Sequence, residues 1–299
     1  MKYLLISFFL FLFVGCSKVI EIDFSEHNSK PTVNALFEEG KTIKMVLSKS
    51  VGIVDDIPSV IATADIYLFC DGIPVDTLFF NGNKFESHET VISNANYSFI
   101  AFTQESEQIT SFDLVPTPPI ISDVAISEST ISDREGFQLN QKLSFTINDT
   151  SAESNYYELV LIKHYYDEFY QDFVNDNVAY YYTQNPIIEN ENILQYYPES
   201  LIFSDNLFNE SIVNIDVYYN RPEIDTGSEN INFDYTLIVL LRSVSENYYR
   251  YKKTLYQHWY NQDSDIWDGT GEPIQMYSNI TGGYGIFAAY SEVRREVNN

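Results

Sequence analysis

Apolar and polar residues alternate along much of this chain with the period of a half-buried strand. Ala64, Ile66, Leu68 and Cys70 alternate with Asp65, Tyr67 and Phe69. Upstream, Val33 to Phe37 and Thr42 to Leu47 read as two strands around a Glu-Glu-Gly turn. Asp71-Gly72 and Asn81-Gly82 mark tight turns, because glycine tolerates the positive φ that short hairpins need. The run "NYSFIAFTQ" closes this set. No helical period interrupts it. Residues 31–115 are therefore expected to form a small antiparallel, Ig-like β-sandwich.

The run "LVPTPPIISDVAI" breaks the pattern. Pro116, Pro118 and Pro119 remove amide donors and hold the backbone extended, so a domain boundary is placed here. Beyond it, "KLSFTIND", "NYYELVLIKHYY", "SIVNIDVYYN" and "FDYTLIVLLRSV" read as strands of a second β-sandwich, residues 116–299. Residues 167–210 are irregular and rich in Asn, Tyr and acids, and read as a long insertion. One helix is predicted over 244–261. Ser243 and Glu246 have capping-box spacing, and Val244, Tyr248, Tyr251, Leu255 and Trp259 form one apolar stripe expected to face the core. Lys252 and Lys253 are expected to face elsewhere. The fold class is thus all-β, with two sandwiches and a single amphipathic helix.

The N-terminus adds a compartment. Lys2 precedes an uncharged apolar run from Tyr3 to Val14. A membrane span needs about 20 apolar residues, so this run reads as the core of a signal peptide, residues 1–15. Leu12, Phe13, Val14 and Gly15 before Cys16 resemble a lipobox, which makes Cys16 the expected acylation site and residues 16–30 a lipidated tether. The expected location is the outer membrane, lipid-anchored and facing the cell surface. Cys70 is the only other cysteine. It cannot close an intramolecular disulfide with an acylated Cys16, and its apolar setting predicts an inert buried thiol.

The formal net charge is −26, which argues against nucleic acid and against direct adhesion to anionic lipid. His27, His88, His164 and His258 stand far apart, with no paired-histidine spacing, so neither metal nor cofactor is expected. The run "DSDIWDG" offers Asp263, Asp265, Asp268 and Gly269, but Trp267 occupies the fifth position of an EF-hand loop, and that pattern fails. Asp76-Thr77-Leu78 resembles an O-glycosylation signal of exported Bacteroidetes proteins, with Thr77 the acceptor. No nucleophile elbow or other catalytic motif appears, and a non-enzyme is expected. The ligand candidate is the aromatic insertion: Tyr165, Tyr166, Phe169, Tyr170, Phe173, Tyr180, Tyr181, Tyr182, Tyr196 and Tyr197. These rings either roof the core or present a recognition surface.

The C-terminal "GEPIQMYSNITGGYGIFAAYS" is read first as a fold-defining turn, since Gly282, Gly283 and Gly285 permit positive φ or close backbone approach. It resembles the closing motif of a Bacteroidetes lipoprotein family catalogued as domain of unknown function 4249. "IEIDF" shortly after Cys16, "MVLSKS", "ATADIYLF", "NYYELVL" and "FSDNLFN" fit the same layout. The resemblance implies an outer-membrane lipoprotein encoded beside a TonB-dependent transporter and accessory to uptake, and it supplies no catalytic residues. One feature departs from surface lipoproteins of that phylum: Ser17, Lys18, Val19 and Ile20 precede the first acids, Glu21 and Asp23. The expected role is non-catalytic binding or assembly, with outer-membrane lipid and a transporter as partners. A glycan-active hydrolase and a structural or adhesive surface protein are the alternatives.

Overall fold

The computed structural model describes residues 27–52, 58–104, 108–150, 152–167, 171–225, 230–232, 234–268 and 274–298. Cys16 with its leader, Phe169, Tyr170 and Gly269 lie outside the described residues.

The chain is all-β, built from two sheets of a sandwich fold with one long helix. The N-terminal unit holds β1 (Pro31–Glu38), β2 (Thr42–Lys49), β3 (Ala64–Cys70), β4 (Ile73–Phe80), β5 (Phe85–Thr90), β6 (Asn96–Thr103) and β7 (Ile109–Leu114). Alternation does what the sequence predicts. β2 buries Ile43, Met45 and Leu47, and β3 buries Ile66 and Leu68. The path β1-β2-β5-β4-β3-β6-β7 curls over itself, so that Phe99 of β6 and Phe37 of β1 share one core.

After the proline stretch come β8 (Ile121–Ser132), β9 (Gln138–Asn148), β10 (Tyr156–Asp167) and β11 (Asp172–Asn177). A short helix α1 (Pro186–Glu189) and a 3-10 turn at Leu194–Tyr196 lead into β12 (Leu201–Ser204). β13 (Ile212–Tyr219), the small ribbon β14 (Glu223–Asp225) and β15 (Asn230–Asn232), and β16 (Tyr235–Val244) follow. Helix α2 (Glu246–Asp268) and the last strand β17 (Tyr284–Asn298) end the described chain. The sheet β13-β9-β8 packs on β10 and β16 around Phe145, Val217, Leu159 and Val239. The insertion is not a loop: residues 172–177 pair with β10, and Ile187, Ile188, Leu201 and Phe203 complete this core.

β17 joins the two units. Its first half runs parallel to β1, from Thr32↔Tyr284 to Glu38↔Tyr290. Its second half runs antiparallel to β16, from Val244↔Tyr290 to Thr236↔Asn298. Phe287 and Ala289 therefore belong to the N-terminal core, although residues 116–299 read as a separate sandwich in sequence. The glycines make this approach feasible. A Cβ on Gly285 would stand 1.9 Å from the Val33 carbonyl oxygen, and one on Gly282 2.2 Å from that of Gln108. Gly282 and Gly285 also have φ of +83° and +104°. The fold-defining reading of the motif describes its geometry well.

The other edge of β17 faces β7, and side chains close most of that seam. Asn279 brackets Phe287, accepting from its amide at 3.0 Å and donating to its carbonyl at 2.7 Å. Ser111 donates to the Asn279 carbonyl at 2.8 Å. Thr110 and Thr281 form an isolated backbone bridge.

Helix α2 departs from its expected form. It starts at Glu246, and the amide of Tyr248 donates to Ser245 Oγ at 3.1 Å, so Ser245 takes the capping role expected of Ser243. Ser243 and Val244 finish β16. Tyr248 and Tyr256 are the buried helix residues, whereas Trp259 is 41% exposed because the helix runs on beyond the sheet. The helical backbone continues through Asp263, Asp265 and Asp268.

Candidate functional site

Two buried acids, Glu158 and Glu191, are paired with lysines of α2. Glu158 of β10 is fully buried. It accepts from Ser200 Oγ at 2.5 Å, Tyr248 OH at 2.7 Å and Arg242 Nη1 at 2.8 Å, and Lys252 Nζ stands 3.2 Å away. Burial alone would raise its pKa. The charges of Lys252 and Arg242 and the two hydroxyl bonds outweigh that and hold it down at about 2. Glu191 does the same beside α1. It accepts from the Ser204 amide and hydroxyl at 2.8 Å, from Tyr249 OH, and from Lys253 Nζ at 2.9 Å. Lys252 and Lys253 thus turn toward the body, the reverse of the sequence expectation.

Asp113 of β7 is a third buried acid next to α2. Asn247 Nδ2 donates to it at 2.7 Å and the Ala289 amide at 2.6 Å. Burial dominates and pushes its pKa up to about 6, despite these bonds. Asp113 floors a cleft of about 710 Å³ where the N-terminal unit meets the start of α2. Glu246 at its rim pairs with Arg250 at 2.5 Å. Both carboxylates are committed to internal partners. Among the described residues, no group of three or more His, Cys, Asp or Glu side chains could hold a metal ion.

The predicted aromatic residues separate into three groups. Tyr181 and Tyr182 are 4% and 8% exposed, with Tyr181 in the C-terminal core, so burial removes both from any contact surface. Tyr165 is half-buried against the same core. Tyr166 and Phe173 pair across the β10–β11 hairpin, exposed at 44% and 63%, with His164 stacked on Phe173.

Tyr180, Tyr196 and Tyr197 form the third group, with Tyr260 of α2 against Tyr196 and exposed Trp259 next to Tyr260 in the chain. Ring centroids lie 6.3 Å apart for Tyr180–Tyr197 and 5.4 Å for Tyr196–Tyr260. Tyr256 packs edge-on to Trp259 at 6.1 Å. Tyr180 OH donates to Asp133 Oδ2 at 2.6 Å, and Tyr197 OH donates to Glu135 Oε1 at 3.4 Å. Burial, then the bond to Asp133, pushes the Tyr180 phenol well above its ordinary range. Asp133 also accepts the amides of Glu135 and Phe137 at 2.9 Å, so one carboxylate shapes the β8–β9 turn and anchors the aromatic row. Trp259 escaped the sequence reading because its stripe spacing matches a core helix; nothing in that spacing reports where the sheet beneath it ends.

A second exposed surface was also missed. The outer face of β4-β3-β6-β7 carries Tyr67, Val75, Phe79, Phe102, Phe112 and Leu114. Phe112 is 69% exposed, and Tyr67 and Phe102 meet edge-on at 6.4 Å. The signal was present in the strands themselves, since "ADIYLFC" and "NYSFIAFT" are apolar at both alternating sets of positions. Thr77 lies on this face, exposed and paired opposite Tyr67. Its neighbour Asp76 accepts the amides of Thr77 at 2.7 Å and His88 at 2.6 Å, ending the β4–β5 ladder with a side chain. Cys70 is a free, half-buried thiol.

A family model described as "Domain of unknown function (DUF4249)" matches residues 17–296. No curated protein matches the chain.

Proposed function

We propose, on the premise that this chain belongs to the DUF4249 family, that it is a non-catalytic outer-membrane lipoprotein, anchored through acylated Cys16, that assembles with a TonB-dependent transporter. The observation that carries the assembly role is the outer face of β4-β3-β6-β7. Tyr67, Phe79, Phe102, Phe112 and Leu114 stand at 42–69% exposure on one sheet face. Soluble monomers rarely leave a contiguous apolar patch of this kind open, because covering it is favourable at roughly 25 cal/mol per Å². Aliphatic and aromatic side chains are mixed there, as in the centre of a protein interface. No described helix is long and apolar enough to cross a membrane, so attachment rests on the lipid at Cys16.

Co-purification from native outer membranes tests the reading. Wild-type protein should bring down a transporter in stoichiometric amount, and Tyr67→Glu with Phe112→Glu should lose it while melting normally. Cys16→Ser should leave the membrane fraction. Unchanged co-purification in the double variant, or Cys16→Ser protein that stays with membranes at high salt, would refute it.

A further inference from the structure

We infer that the row formed by Tyr180, Tyr196, Tyr197, Trp259 and Tyr260 is a binding site for an uncharged oligosaccharide. This rests on the reading that the protein is a binder, but it uses a different face from the apolar sheet.

The rings are open. Tyr197, Trp259 and Tyr260 are 55%, 41% and 40% exposed. Tyr196 meets Tyr260 edge-on at 65°, and Tyr180 meets Tyr197 tilted at 34°, so the rings do not stack and hide each other's faces. A pyranose presents an apolar C–H face, and the electron-rich face of an aromatic ring attracts it. Tyr197 is also held in the left-handed region at φ 46°, a costly conformation for a bulky residue and of the kind that clusters at binding sites.

The rim supplies what sugar hydroxyls need. Asp133 is buried and taken up by the Tyr180 hydroxyl and two amides, whereas exposed Glu135 takes only the Tyr197 hydroxyl and keeps acceptor sites open. Next to the rings in the chain stand Gln195, Asn261 and Gln262, whose side-chain amides can both donate and accept. The exposed side chains described in this row are aromatic or polar, whereas the N-terminal sheet face mixes in Val75 and Leu114.

Charge narrows the class. The cation on this side, Arg134, is paired with Glu189 at 2.6 Å. Asp133 and Glu135 would repel uronic acids and sulfated sugars, and the whole chain carries −26. The acceptor-rich rim therefore selects neutral glycans.

Affinity electrophoresis of the exported, full-length Cys16→Ser chain tests this. The probes are neutral glucans, mannans, xylans and galactans, with polygalacturonate and heparin as charged counterparts. At least one neutral polymer should retard the protein and alter Trp fluorescence, and neither charged polymer should. Trp259→Ala and Tyr197→Ala should each weaken binding at least tenfold without moving the melting temperature. The inference fails if no neutral polymer binds, if the charged polymers bind instead, or if both variants bind like wild type. Trp259→Ala and Tyr197→Ala variants that bind no glycan but lose transporter co-purification would make the row a protein surface. That result overturns this inference and leaves the binding role standing, whereas failure of the sheet-face variants overturns the assembly reading alone.

Discussion

The Ala289 amide donates to Asp113 Oδ2 at 2.6 Å, across 176 residues of sequence. Through this bond the last strand of the N-terminal unit meets the last strand of the chain. Asn247 of α2 holds the same carboxylate, so one side chain ties together a strand of the first unit, the helix and the shared strand β17. Asp113 thus adds a buried side-chain link to the β17 pairings that join the two units, and the proline stretch runs beside it: Ser291 Oγ donates to the Pro116 carbonyl at 2.5 Å.

That coupling predicts a pH dependence. Asp113 sits at about 6 in the folded chain against an ordinary value of 3.8, with burial the cause. Between about 4 and 6 the folded state keeps a proton that the unfolded state has released, so this group's contribution falls as pH rises through that window and is flat above it. Asp113→Asn retains an acceptor for the Ala289 amide and cannot ionise. The variant should gain stability relative to wild type as pH rises from about 4 to 6. Melting curves across that range test it; parallel curves would rule out Asp113 as the titrating group.

Glu158 predicts the opposite slope. Its pKa is held at about 2, since attraction to Lys252 and Arg242 outweighs burial. Its contribution is fully present above the ordinary value of 4.5 and is lost as pH falls toward 2. Glu158→Gln leaves two cations facing a neutral amide and should cost roughly 3–5 kcal/mol near neutral pH. The gap between wild type and variant in urea unfolding should shrink at acid pH. A gap independent of pH would mean that Glu158 acts by shape alone.

Most of the β architecture was legible because alternation reports burial directly, as in Ile43, Met45 and Leu47 of β2. The parallel pairing of β17 with β1 was not, because its partners lie some 250 residues apart and no local pattern encodes a parallel neighbour. The glycines announced a close approach without naming what approaches. Lys252 and Lys253 looked solvated because lysines usually are; their buried partners Glu158 and Glu191 come from β10 and the insertion. Among the aromatic candidates, sequence could not separate the more exposed Tyr180, Tyr196 and Tyr197 from buried Tyr181 and Tyr182, since strand-like alternation fails in irregular segments.

The glycine contacts give a graded test. Gly285→Ala would place a methyl 1.9 Å from the Val33 carbonyl, at a φ of +104°. Backbone must move on both sides of the β1–β17 pairing, so a loss on the order of 4 kcal/mol or more is expected. Gly40 has a φ of +75° but nothing within 4 Å. Gly40→Ala should cost only the conformational strain, about 1–2 kcal/mol. Denaturant midpoints of the two variants decide whether contact or conformation matters at Gly285; equal losses would mean that conformation alone does.

Tyr181 and Tyr197 are 16 positions apart in the same insertion and should respond in opposite ways. Tyr181 is 4% exposed, donates to the Glu199 carbonyl at 3.2 Å, and lies in the core with Leu161 and Leu201. Tyr181→Ala removes a large buried ring and should cost about 3–5 kcal/mol, because the strands around it cannot collapse to fill the space. For a chain of this size that lowers the melting temperature by roughly 10 °C. Tyr197 is 55% exposed, and its hydroxyl makes one long bond to Glu135. Tyr197→Ser should stay within about 0.5 kcal/mol of wild type. Thermal melts of the two single variants separate the residues that build the insertion from those free to bind. Tyr181→Ala protein that melts like wild type would show that its ring is not part of the core. A Tyr197→Ser variant that melts early would move that residue, and the aromatic row with it, from the surface to the scaffold.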